Sequence, residues 1–217
     1  FINKALQAVV YGDLLAKLLY ATRPYEVNKG DSINLYNKWM DVCCKSIVKG
    51  NLSEYNKNIK NIISDFKKVE VKLVDKPKVG IVGEILIKYH AFGNDNLVEK
   101  LEAEGSEVFV PDLMGFVKYC AYNGMIKEKL FKTGKVSSFV YKEALNVIDL
   151  YEKPVNKYLK GTRYRKSCDI YELAHNVEDI LSTGNQTGEG WFLTAEMVEL
   201  IKEGVPNVVC VQPFACL

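Results

Sequence analysis

The chain has 217 residues, of which 48% are hydrophobic and 26% are charged, and its 29 basic and 27 acidic residues give a net charge of +2. This length is sufficient for one or two domains with a buried core. So balanced a charge gives no reason to expect a nucleic acid or an anionic membrane as partner. No apolar run approaches the roughly 20 residues that a membrane-spanning helix needs.

The first twenty residues are apolar but are interrupted by Lys4, Asp13 and Lys17, which indicates an amphipathic helix and not a secretion signal. We therefore expect a cytoplasmic protein whose six cysteines stay reduced. No two of them form a CxxC pair, so the spacing does not indicate a zinc ribbon. Because the chain begins at Phe1 and stops at Leu217, just past a predicted strand, we expect a fragment of a larger protein.

Residues 1–76 are predicted to form a helical N-terminal section. Apolar residues recur at helical spacing in the first twenty residues, and Pro24 is expected to end this first helix. A second helix is predicted over residues 33–49, with Gly50 after its last residue. A third is predicted to start after Asn51 or Ser53 and to end at about residue 68.

Residues 77–217 are predicted to form a Rossmann-like α/β lobe, in which helices flank a parallel sheet. Val79–Val82 has the apolar, β-branched composition of a buried parallel strand. A helix that ends at Gly105 should follow, and then a second strand over Glu107–Val110. The fold class predicted for the whole chain is therefore α/β.

The rest of this lobe is predicted to be mainly helical. Residues 113–160 and 172–181 are predicted helices, and a helix over Trp191–Glu203 precedes a buried strand over Asn207–Val211 that includes Cys210 as an inert thiol. Within residues 113–160, one apolar face is expected to consist of Phe139, Val140, Leu145, Val147, Ile148 and Leu150.

A polar segment, residues 83–96, follows the first predicted strand and is expected to be a loop. Ligands of open parallel sheets bind outside the carboxyl ends of the strands. Glu84 and His90 are therefore candidate catalytic residues with acid–base roles. The alternative is a polar loop whose single histidine faces solvent.

A glycine-rich loop precedes the last predicted helix. Free backbone N–H groups at a helix N-terminus favour an anion such as phosphate. The loop lacks the lysine of a P-loop, and the alternative is a tight turn beside Trp191. The candidate cofactor-binding residues are Gly184, Asn185, Gln186, Thr187, Gly188 and Gly190.

Cys216 follows the last predicted strand and is the candidate metal ligand. A thiolate there could bind a soft metal or an iron–sulfur cluster. One cysteine does not hold a four-iron cluster, so further ligands would have to come from missing sequence, another chain or more distant thiols. Cys120 and Cys168 have no ligand partner nearby in sequence.

Three segments resemble proteins of the 2-hydroxyacyl-CoA dehydratase and activase-related family. They are ATRPYEVNKG, then KVGIVGEILIKYHAFGNDNLVEKLEAEGSEVFVPDLMGFVKYCAYN, and finally GNQTGEGWFLTAEMVELIKEGVPNVVCVQPFACL. The resemblance implies Rossmann-like lobes with helices. It also implies a cysteine-held iron–sulfur cluster that receives an electron at the expense of ATP hydrolysed by a partner activase. Cys216, in QPFAC, would then be a cluster ligand.

The chain departs from this family pattern because it contains no actin-like ATPase segment with phosphate-binding loops. The leading hypothesis is a component of a dehydratase-like iron–sulfur system that acts on an acyl-CoA-type molecule. A second is a non-catalytic lobe that docks an activase, another subunit or a second copy. A third is a CoA- or nucleotide-binding domain that uses the glycine-rich loop.

Overall fold

A computed structural model describes residues 1–132, 134–167, 169–214 and 216. The chain divides into two compact units. The helical unit combines Phe1–Asp75 with Ile148–Ser167, and the α/β unit combines Lys76–Val147 with Cys168–Leu217. Each unit is therefore built from two separate stretches of sequence.

The helices and strands have bounds close to those predicted for most elements. In chain order they are α1 (Ile2–Thr22), α2 (Asp31–Lys49), α3 (Leu52–Phe66), β1 (Lys78–Gly83), α4 (Ile85–Tyr89), α5 (Leu97–Ala103), β2 (Glu107–Phe109), α6 (Leu113–Phe131), α7 (Lys135–Leu159), α8 (Ile170–Val177), α9 (Gly190–Lys202) and β3 (Asn207–Val211). None of the helices within the described ranges is long and apolar enough to cross a membrane.

The helical unit has a core formed by α1, α2 and α3. Gly50 ends α2 in the left-handed conformation, and the Asn51 side chain caps α3 by accepting a hydrogen bond from the Glu54 N–H. Residues 148–167 also pack here. The Tyr55 hydroxyl donates to the Tyr151 carbonyl oxygen at 2.7 Å, and the Tyr164 hydroxyl donates to the Phe66 carbonyl oxygen at 3.2 Å.

The α/β unit contains a small parallel sheet with the strand order β2-β1-β3. In register, Val79 pairs with Val108 on one side and with Asn207 on the other. The central strand is buried from Val79 to Gly83, because strands lie on both sides of it and helices α4 and α9 pack against it. The predicted α/β class, with a parallel sheet and flanking helices, is confirmed at this level.

The last strand has the predicted bounds but not the predicted burial. Within the described residues β3 pairs with β1 alone, so it is an edge strand and is only partly buried. Cys210 is exposed, and the prediction that it is a buried thiol was wrong. The physical reason is that an edge strand has a neighbour on one side only.

Helix α7 also differs from the prediction, because its expected apolar face divides between buried and exposed positions. Leu145 and Ile148 are buried. Phe139, Val140, Val147 and Leu150 are exposed. At about 100° per residue these four lie on the opposite side of the helix from Leu145.

Candidate functional site at the carboxyl edge of the sheet

The ends of β1 and β3 meet at the carboxyl edge of the sheet. Gly83 pairs with Val211, and the Glu84 N–H donates to the Val211 carbonyl oxygen at 2.9 Å. Gly83 has a φ of +142°, and a Cβ on it would overlap that oxygen. Glycine is therefore required there, and it brings Glu84 beside the segment that leads to Cys216.

Glu84 caps a short helix that the sequence did not predict. Its Oε2 accepts a hydrogen bond from the Ile87 N–H at 2.9 Å, at the start of α4. Residues 85–89 are therefore helical, where we expected a loop. The carboxylate is partly buried and retains acceptor capacity beyond this cap. Its catalytic role stays a prediction.

His90 is exposed and lies just after α4. Its Nδ1 accepts a hydrogen bond from the Gly93 N–H at 2.8 Å. A neutral imidazole that accepts at Nδ1 carries its proton on Nε2. Glu84 and His90 each accept a hydrogen bond from a different backbone N–H within residues 84–93, and no bond joins the two side chains to each other in these two contacts. An acid–base role for His90 also stays a prediction.

A buried ion pair that was not predicted from the sequence lies behind this edge. Lys88 Nζ lies 2.9 Å and 3.0 Å from the two carboxylate oxygens of Glu196, and the side chains are 1% and 3% exposed. Glu196 lies on the buried face of α9 with Phe192 and Leu200. The sequence contained one signal for this pair. Glu196 lies at helical spacing between apolar residues, and a carboxylate buried in that way needs a buried cation as its partner.

The pKa of Glu196 is raised because burial disfavours its charged form, and the attraction of Lys88 opposes that rise. Lys88 also lies over two aromatic rings, at 5.1 Å from the Tyr89 centroid and 5.9 Å from the Phe192 centroid. These contacts fix α4 against α9. They hold Glu84, at the start of α4, in a defined place.

The glycine-rich loop closes on itself through short-range hydrogen bonds. The Trp191 N–H donates to the Asn185 carbonyl oxygen at 2.9 Å, and the Gly184 N–H donates to Ser182 Oγ at 3.1 Å. The Tyr119 hydroxyl donates to the Gly188 carbonyl oxygen at 3.1 Å. Gly190 has a φ of +48°, and a Cβ on it would overlap the Asn185 carbonyl oxygen.

A carboxylate already lies at the N-terminus of α9. Glu189 precedes the helix and is buried, and its Oε1 accepts a hydrogen bond from the Ile85 N–H at 3.0 Å. A carboxylate there interacts favourably with the helix dipole and would repel an added phosphate. Cofactor binding by the six loop residues stays a prediction. An anion bound there would lie near the Glu189 carboxylate.

Cys216 is partly exposed, and its N–H donates to the Pro213 carbonyl oxygen at 3.2 Å. In the part of the chain that the structure describes, no group of three or more His, Cys, Asp or Glu side chains could hold a metal ion. A four-iron cluster takes four ligands, so these residues alone do not fit a complete cluster site. Cys168 lies outside the described residues.

No protein-family model, curated protein or solved structure matches this chain. The resemblance to dehydratase-related proteins therefore rests on the three sequence segments alone. Function has to be inferred from these residues and from the geometry of the sheet edge.

Proposed function

We propose that this chain is a cytoplasmic component of a 2-hydroxyacyl-CoA dehydratase-like iron–sulfur system. In this proposal a Rossmann-like lobe works with an ATP-dependent activase, and the substrate is an acyl-CoA-type molecule. The supporting observation is the bond between the Glu84 N–H and the Val211 carbonyl oxygen, at 2.9 Å. This bond joins the segment that begins at Glu84 to the end of β3, from which the chain continues to Cys216.

This arrangement suits a ligand site because the strands of the sheet all run in the same direction. All three strands are parallel, so their carboxyl ends lie at one edge. Open α/β sheets bind ligands outside that edge. The end of β1 supplies Glu84 and then His90, and the end of β3 leads to Cys216. The candidate catalytic and metal residues therefore follow neighbouring strands.

Cys216 would supply one cluster ligand, and the others would come from another chain or from residues outside those described. When bound, such a cluster supplies single electrons at low potential. Glu84 would hold or transfer a proton through its carboxylate, since the Ile87 N–H occupies one acceptor position of Oε2 only. His90 would present its Nε2 proton to a bound substrate, because Nδ1 is an acceptor.

The experiment is to measure iron and acid-labile sulfide per chain after purification without oxygen. Cys216→Ser is the test variant, and Cys210→Ser is its matched control because Cys210 is an exposed thiol only six residues earlier. We expect iron and sulfide in the parent and the control and a large loss in the test variant. Equal iron in all three would remove Cys216 from the proposal.

A metal-free chain that folds normally would favour the second candidate function, a non-catalytic docking lobe. That candidate has its own support, because the glycine-rich loop and the N-terminus of α9 are occupied by internal contacts. Such contacts stabilise a rigid surface and leave few groups for a ligand.

Calorimetric titration with CoA and with ATP tests the third candidate, a CoA- or nucleotide-binding domain. Gly188, with a φ of +61°, is the position to change. Gly188→Val should abolish binding if the loop holds the phosphate, whereas Gly188→Asn, which tolerates this backbone conformation, should retain most of it. No heat of binding in the parent would eliminate this candidate.

A further inference from the structure

The end of the α6–α7 hairpin is an exposed feature that the proposed function does not use. Helices α6 and α7 approach each other at one point, where a Cβ on Gly124 would overlap the Tyr141 ring. Gly124 lies seven residues before the last residue of α6, and Tyr141 lies six residues after the first residue of α7. We define the hairpin end as the sequence stretch 127–143, which belongs to the α/β unit and of which the structure describes residues 127–132 and 134–143.

Large apolar side chains are exposed on both arms of the hairpin end. Phe131 at the end of α6 is 68% exposed, and Val136 and Phe139 at the start of α7 are 80% and 64% exposed. Leu130 and Val140 are exposed beside them. Five large apolar residues this close together are unusual, whereas single exposed apolar residues need no explanation.

The hairpin end also concentrates the positive charge of the chain. Its sequence contains five lysines and two glutamates, a net charge of +3, whereas the whole chain carries only +2. The other 200 residues therefore carry a net charge of −1. The lysines are all exposed: Lys127, Lys129, Lys132, Lys135 and Lys142. The charge balance of the whole chain, which gave no reason to expect a membrane partner, conceals this local excess.

We propose that the hairpin end docks on an anionic lipid surface. Exposed phenylalanine and leucine side chains enter the boundary between headgroups and acyl chains, and lysines beside them attract anionic headgroups. Glu143 follows Val136 and Val140 on the same side of α7, at helical spacing. Its carboxylate limits lipid contact on α7 to the residues that precede it.

Three other occupants fit less well. A second copy would bring two surfaces of net +3 together, and like charges repel. A protein groove that accepts one helix would cover one arm, whereas the exposed apolar residues lie on both arms. A lipid surface contacts both arms at once. Nucleic acid would use the lysines but not the exposed aliphatic residues.

The test is co-sedimentation with vesicles of phosphatidylcholine and phosphatidylglycerol at 3:1, and with vesicles of phosphatidylcholine alone. We expect binding to the anionic vesicles only, weaker at high salt because salt screens the lysines. The double substitution Lys132→Gln with Lys135→Gln should weaken binding at least about tenfold, since each lysine near such a surface contributes measurably. Phe131→Ser with Phe139→Ser should weaken it similarly.

The matched control is Lys57→Gln with Lys60→Gln, which removes two exposed lysines from α3 in the helical unit. It should bind as the parent does. The proposal is overturned if anionic vesicles do not sediment the parent at low salt, or if the control loses as much binding as the hairpin variants. It is also overturned if the phenylalanine substitutions change only self-association, measured by light scattering. Circular dichroism would confirm that each variant is folded.

Discussion

Lys88 Nζ lies within 3.0 Å of both carboxylate oxygens of Glu196, and both side chains are almost completely removed from solvent. The two residues are 108 positions apart in sequence. They join α4, at the carboxyl end of β1, to the buried face of α9. Their ion pair is therefore one of the contacts that fix the candidate site to the helix behind it.

Breaking this pair should destabilise the protein strongly. Lys88→Met leaves Glu196 buried without its cation, and we expect a loss of about 3–5 kcal/mol in the free energy of unfolding. Lys88→Met with Glu196→Leu should recover most of that loss, because both charges are then gone. The control is Lys49→Met, which removes an exposed partner of Glu54 and should cost less than about 1 kcal/mol. Urea unfolding measures all three.

The cost of Lys88→Met should depend on pH. The pKa of Glu196 is raised by burial above its ordinary value of 4.5, and loss of Lys88 removes an interaction that lowers it. A raised carboxyl pKa in the folded state stabilises the protein at low pH, and that contribution is lost as pH rises through the folded-state value. Two variants are compared, Lys88→Met and the double variant Lys88→Met with Glu196→Gln. The free energy of unfolding of the first, relative to that of the second, should therefore fall as pH rises from 4.5. A constant difference would contradict the predicted rise in pKa.

Gly83→Ala should loosen the carboxyl edge of the sheet. The new Cβ would overlap the Val211 carbonyl oxygen and would also meet an unfavourable backbone φ of +142°. We expect a loss of at least about 2 kcal/mol in the free energy of unfolding. Gly105→Ala is the control. Gly105 has a φ of +93°, but no atom lies within 4 Å of the position that a Cβ would take, so the loss in the free energy of unfolding should be only about 1 kcal/mol. Equal losses would show that the Val211 contact adds nothing.

The adjacent cysteines of α2 should differ in reactivity. Burial raises the pKa of Cys43 to about 12, whereas Cys44 is exposed. At pH 8 the thiolate fraction of Cys43 would be on the order of one in ten thousand, so it should react slowly with Ellman's reagent. Cys44→Ser should remove one rapidly reacting thiol from the folded protein, and Cys43→Ala should remove none. Loss of a rapid thiol in Cys43→Ala would contradict the burial of that side chain.

Much of the local structure could be predicted because its signals are local. The strand over Asn207–Val211 has the predicted bounds, and Gly50 ends α2 as expected. Helix α4 was missed because five residues are too few to show a helical period. Of the candidate site residues, Glu84 is an N-cap, which a sequence pattern could indicate only if the helix after it were recognised.

The sequence alone determined the order of the strands and of most helices, since apolar spacing, glycine and asparagine act within a few residues. Only the tertiary structure decided that β3 is an edge strand with Cys210 exposed, and that residues 148–167 pack in the helical unit. It alone joined Lys88 to Glu196. The physical reason is that burial and ion pairing depend on which distant segments come together, and periodicity along the chain specifies only which side of an element is apolar.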